Sequence, residues 1–234
     1  EAGGVARKLT QEREFVFDDA LLGDARMEEG KLEPAIKAYQ KMVNLKPCLQ
    51  TYSRVAYMRW LKGEVPGAVQ ASLLAVSGGS PREPEPVAWA YTRLAFYELQ
   101  SGETDAALRA TELANQFVPG YAAALLQRGR VLLAMGKTPE ALEAMRAAAK
   151  KSPLPEYLWT LADALRGAGK VAEAQTVEQK LLATGQANDP RTLSLFLASR
   201  GEKLDLALRL AQEELINRQD IFTRDALAWA QLAK

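Results

Sequence analysis

Small residues, turn glycines and alanines recur along this chain in a fixed order rather than in an even scatter. Gly23, Ala56, Ala95, Gly129 and Ala162 each stand seven residues ahead of a glycine, namely Gly30, Gly63, Gly102, Gly136 and Gly169. Five residues beyond each glycine comes an alanine: Ala35, Ala68, Ala107, Ala141 and Ala174, with Ala207 after Gly201 one position late. The alanines are 33, 39, 34, 33 and 33 residues apart, a period near the roughly 34 residues of a helix-turn-helix repeat. Around the marks apolar residues recur at helical spacing, as with Leu158, Leu161 and Leu165 about Ala162.

The pattern predicts pairs of antiparallel helices, A and B, joined at the glycine. Two helices approach closely only where side chains are stubby, so the eighth position of helix A is expected to face the alanine at the twentieth, in helix B. One such hairpin leaves its apolar faces open, so neighbours must stack in a row. Pro47, Pro119 and Pro153 lie twelve residues past the helix B alanine, where proline ends one helix and begins the next repeat. The interval of 39 coincides with the Gly- and Pro-rich stretch Ser77 to Pro86, expected to be a longer loop.

The segments ALLGDARMEEGKLEPAIKAYQKMVNLKP and GYAAALLQRGRVLLAMGKTPEALEAMRAAAKKSP resemble tetratricopeptide repeats. The resemblance implies an all-α, right-handed α-α superhelix of about six repeats plus a partial seventh helix. The repeats would lie near 16–48, 49–87, 88–121, 122–154, 155–187 and 188–221, with a partial one at 222–234 and a lead-in over 1–15. The ending DALAWAQLAK and the segment LSLFLASRGEKLDLALRLA are similar to a widespread bacterial group whose partners are mostly unassigned. Glu178 departs from the pattern, standing where helix B usually carries a large apolar residue, and repeats five and six lack the closing proline.

Composition narrows the chemistry. Thirty Lys and Arg nearly balance 29 Asp and Glu, so no strong field favours nucleic acid or anionic lipid. Histidine is absent, which removes imidazole bases and the commonest metal ligand. A single cysteine, Cys48, makes neither an internal disulfide nor a thiolate cluster. No apolar run approaches the roughly 18 residues of a membrane span, and RGRVLLAMGK fails the spacing of a phosphate loop. No enzyme activity, catalytic residue, metal or cofactor is expected; the chain reads as soluble, in bacterial cytoplasm or periplasm.

The resemblance further implies a concave groove lined by the A helices as the ligand site. Carried over position by position, it gives Phe17, Tyr57, Trp60, Trp89, Phe96, Arg130, Trp159 and Arg166 as the groove residues. Exposed aromatic rings are costly unless covered, so the expected partner is a protein, through a peptide or helix; the rings would otherwise pack between adjacent A helices. Domains of this family that hold the C-terminal carboxylate of heat-shock chaperones use Lys, Asn and Arg at positions that here carry Ala20, Asp24 and Trp89, so that clamp is missing. Two other functions stay open at this point: a module that assembles with copies of itself, and the targeting arm of a larger enzyme.

Overall fold

The computed structural model describes residues 2–12 and 15–234, and among them every regular element is an α-helix. Helix α1 (Ala2–Glu12) lies in the segment expected to be a lead-in, of which Glu1, Arg13 and Glu14 fall outside the described residues. Seven A helices follow: α2 (Val16–Glu28), α4 (Leu49–Leu61), α6 (Pro84–Gln100), α8 (Ala122–Ala134), α10 (Pro155–Gly167), α12 (Pro190–Arg200) and α14 (Ile221–Ala233). The B helices are α3 (Leu32–Leu45), α5 (Val65–Ser77), α7 (Thr104–Phe117), α9 (Thr138–Lys151), α11 (Val171–Asn188) and α13 (Leu204–Asn217).

The A helices end where the glycines foretold. Gly30, Gly63, Gly102, Gly136, Gly169 and Gly201 all adopt a left-handed conformation with φ between 66° and 85°, which costs glycine little because it has no Cβ. In five of these turns the N–H after the glycine donates to a carbonyl five residues back, as Glu64 to Arg59 and Glu202 to Leu197, both within 3.0 Å. This closes a Schellman motif and satisfies carbonyls that the helix end would leave orphaned. The sixth-repeat turn holds one extra residue, and Lys203 takes a left-handed φ of 44° to fit it. That insertion is why Ala207 comes one position late.

Two further departures have local causes. Helix α6 begins at Pro84, so the expected loop over Ser77–Pro86 shrinks to residues 78–83. Pro84 and Pro86 sit in the first turn of the helix, where N–H groups lack intrahelical partners in any case. Much of the longer interval is thus absorbed by a helix of 17 residues where α4 and α8 have 13. Helix α11 extends to 18 residues because no proline stops it, until Asp189 caps α12 by accepting from the Thr192 N–H at 3.1 Å.

The helices gather into two compact units, one of residues up to Met27 with Leu32–Ala148, the other of Glu28–Lys31 with Ala149–Lys234. In the first, α4, α6 and α8 touch in succession, and α3, α5 and α7 each pack on the A helix that follows. In the second, α12 touches both α10 and α14, while α11 and α13 pack against the A helix that follows each. All six helix B alanines of the repeat, Ala35 to Ala207, are completely buried.

The eighth position of helix A meets a larger neighbour besides the alanine its sequence pattern suggests, whose backbone oxygen at Ala141 stands 3.2 Å from a Cβ built on Gly129. A Cβ built on Gly23 would stand 2.2 Å from Cε1 of Tyr39, and one on Gly129 would stand 2.4 Å from Cγ of Met145. Both neighbours lie at the twenty-fourth position, one turn past the alanine. Size is shared across this contact: glycine stands opposite Tyr39 and Met145, whereas Ala56 and Ala95 belong to repeats whose equivalent helix B residues are Ser72 and Thr111. Tyr39 has little room to yield, because its hydroxyl donates to Asp24 Oδ1 at 2.7 Å. Gly23→Ala is therefore expected to destabilise by about 1–3 kcal/mol, overriding its gain in helix propensity. In a Tyr39→Ala background the same change should become neutral or stabilising, a reversal that chemical denaturation of the four proteins would register.

Candidate functional site

Within the first unit the expected groove residues fall into two groups. Tyr57 and Trp60 on α4 stack with centroids 6.0 Å apart, and Phe96 on α6 meets Trp60 edge-on at 5.3 Å. Tyr97 joins this cluster, 5.5 Å from Phe96 and 6.4 Å from Trp60. The Trp60 indole N–H donates to Gln100 Oε1 at 2.6 Å, tying α4 to α6 across 40 residues of sequence. These rings are partly or wholly buried on one another, in the arrangement preferred by aromatic pairs.

Phe17 and Trp89 stand apart from that cluster. Phe17 on α2 is 43% exposed and contacts Phe15 edge-on at 5.4 Å. Trp89, near the start of α6, is 42% exposed and makes neither a ring contact nor a hydrogen bond among the described residues. Arg130 lies on α8, partly buried.

In the second unit, Trp159 on α10 meets the buried Phe196 of α12 edge-on at 5.7 Å. Arg166 donates to both carboxylate oxygens of Glu178 on α11, at 2.7 and 2.5 Å. Arg200 of α12 donates to the same carboxylate at 3.0 Å and to Asp163 at 2.6 Å. Glu178, the departure noted in repeat five, is buried only because two guanidiniums receive its charge. The bond from Arg166 holds its carboxyl below the usual carboxylate range, against the opposing effect of burial.

Several residues that shape these surfaces were not singled out from sequence. Arg93 lies with its guanidinium carbon 4.6 Å from the Phe96 ring, 5.0 Å from Tyr97 and 6.0 Å from Trp60. Its spacing of three and four residues from Phe96 and Tyr97 puts all three on one helical face, a signal that was available. Arg54 of α4 grips Asp24 with two bonds, at 2.9 and 2.5 Å, an arrangement linking residues 30 apart that no local pattern announces. Of the positions compared with the chaperone clamp, Ala20 is buried and Asp24 is held by Arg54 and Tyr39.

No cluster of three or more potential metal ligands exists among the described residues, and no described helix is long and apolar enough to cross a membrane. One perturbed acid is buried in α6. Burial pushes Glu98 up to about 7, with Arg109 opposing and Glu103 adding to the rise, and its Oε2 lacks a hydrogen-bond partner. Unfolded, the same carboxyl titrates near 4.5, so the folded chain holds an extra proton between those values. Stability should therefore fall as pH rises through that window. Glu98→Gln is expected to flatten this slope, gaining on the parent protein between about pH 5 and about pH 8 in urea unfolding.

Residues 92–153 and 126–190 match the family pattern of tetratricopeptide repeats. Among solved structures, PilF of Pseudomonas aeruginosa is similar with a TM-score of 0.62 at 17% identity, over 99% of this chain and 91% of that one. A thermophilic TPR protein of Thermus thermophilus aligns with a TM-score of 0.55 at 19% identity, over 93% of this chain and 100% of that one. YrrB, described as a TPR protein with an unusual peptide-binding site, aligns with a TM-score of 0.51 at 17% identity, over 78% and 92% of the two chains. No curated protein matches the chain in sequence.

Proposed function

Because the chain is a tetratricopeptide repeat protein, we propose that it is a non-catalytic scaffold that holds a peptide or helix of a protein partner against its A helices. The observation that carries this reading is Trp89, a large ring on the A-helix layer of the first unit left 42% exposed, with no ring contact or hydrogen bond of its own among the described residues. An amphipathic anchor of this kind gains most when a partner covers it. Phe17, equally exposed, offers a second apolar foothold, while Tyr57, Trp60 and Phe96 form a separate packed cluster on α4 and α6. Arg130 adds a polar contact on the next A helix of the first unit, and the second unit taken by itself carries Trp159, in contact with Phe196, and Arg166, bonded to Glu178, on α10. The peptide-binding site named for YrrB agrees with this kind of use of the fold.

Trp89→Ala tests the reading without disturbing the packed cluster. Helix content and melting should stay within about 0.5 kcal/mol of the parent, while capture of peptides from a random immobilised array should weaken by at least about tenfold. Undiminished capture would remove Trp89 from the site.

Self-association is a second reading with its own footing, since Ile221, Trp229 and Leu232 on α14 are 51%, 45% and 77% exposed. Light scattering across a range of concentrations should then give a mass that rises with concentration and drops in a Trp229→Ala, Leu232→Ala variant. A constant monomer mass would exclude it.

A further inference from the structure

Four described arginines rest on aromatic rings in comparable ways, and three of them also hold a carboxylate. Arg54 lies 5.9 Å from the Tyr39 ring centre and grips Asp24. Arg191 lies 5.9 Å from Phe222 and pairs with Asp220 at 3.5 Å. Arg200 lies 5.5 Å from Phe196 and pairs with Asp163 and Glu178. Arg93 touches three rings, those of Phe96 and Tyr97 more closely than any of these, yet among the described residues its one hydrogen bond is to the neutral hydroxyl of Tyr97, at 3.1 Å.

The repeat register sharpens the contrast. Arg54 and Arg93 occupy the same position, the sixth, of successive A helices. The carboxylate that Arg54 takes stands at the ninth position of the preceding A helix, and for Arg93 that position is Tyr57. A guanidinium flattened on rings keeps its outward N–H groups in a fixed fork, which suits a carboxylate and costs little further ordering when one arrives. Arg93 is partly buried, with its guanidinium covered on one side by the rings of Phe96 and Tyr97.

From this we infer that Arg93 is an acid-recognising subsite, taking the side-chain carboxylate of an Asp or Glu in the partner segment whose apolar residue covers Trp89. The inference rests on the binding reading above and adds the chemistry of the partner: an acidic residue close to a large apolar one. A side-chain acid is favoured over a chain terminus because a terminal carboxylate draws on a second cation, and Arg54, the neighbour in register, is already held by Asp24.

The test uses an array of short random peptides, N-acetylated and C-amidated, each with one central Glu and printed beside a twin carrying Gln. A second set has no acidic side chain and a free C-terminal carboxylate. The parent protein should retain Glu peptides at least about tenfold better than their Gln twins, the effect of one charged hydrogen-bonded pair. Arg93→Gln should bring that ratio to about one with an unchanged melting temperature, and Arg93→Lys, which keeps charge without the fork, should lose most of it. A parent ratio near one, or a ratio undiminished in Arg93→Lys, would overturn the inference even if Arg93→Gln proved unstable. Preference for the acid-free, free-terminus set would overturn the choice of a side chain. Trp89→Ala separates the two readings: Trp89-dependent retention with equal Glu and Gln binding sinks Arg93 alone, whereas retention indifferent to Trp89 sinks the binding site beneath it.

Discussion

The close approach of paired helices at one small contact is the constraint on which the rest of the molecule depends. The eighth position of helix A is kept small throughout: glycine opposite Tyr39 and Met145, and alanine or serine at the other eighth positions, Ala162 in the repeat whose twenty-fourth residue is Glu178. Ser194 uses its place differently, donating its hydroxyl to the Ala207 carbonyl at 2.7 Å and so fastening α12 to α13 through the backbone. Protein interiors are packed too densely to absorb an extra methyl group without movement, so this economy of volume sets the distance between helices. Each hairpin that closes in this way leaves apolar faces for the next.

Charge is arranged with the same economy. The chain carries nearly equal numbers of both signs, and several arginines of its A helices are placed where their guanidiniums lie near rings and also meet acids. Glu178 shows how far this goes, since an ionised group in an apolar position is retained by two arginines from α10 and α12. Such pairs fix the orientation of neighbouring helices even when their net contribution to stability is small. Against that background Trp89 and Arg93 differ from their counterparts: among the described residues one is a ring with no ring contact and the other a cation with no acid. Binding surfaces are made of groups whose needs the fold itself leaves unmet.

How much could be read from the chain alone differs by element. Helix ends at Gly30, Gly63, Gly102, Gly136 and Gly169 were legible because a left-handed residue between two helices has few alternatives to glycine. The start of α6 was not, because prolines that look like a loop are equally at home in a first helical turn. Helix α1 was missed since it lies outside the repeat and shares none of its marks. That the small eighth position also faces a residue one turn further on, Tyr39 or Met145, was not legible, because the pitch of two crossing helices is a property of the pair.

The sequence by itself determined that helices pair and recur, and at what interval, because those features follow from steric rules acting between residues close together in the chain. Which aromatic side chains would be sealed and which left open was decided only by the tertiary structure. Trp60 is closed off by Gln100 and Phe96, some forty residues away, and Arg54 is neutralised by Asp24 from the preceding repeat, while Trp89 and Arg93 meet no such neighbour among the described residues. Burial and ion pairing depend on what the neighbouring repeat brings alongside, and identical spacing along a helix places an acid beside one arginine and a tyrosine beside the next.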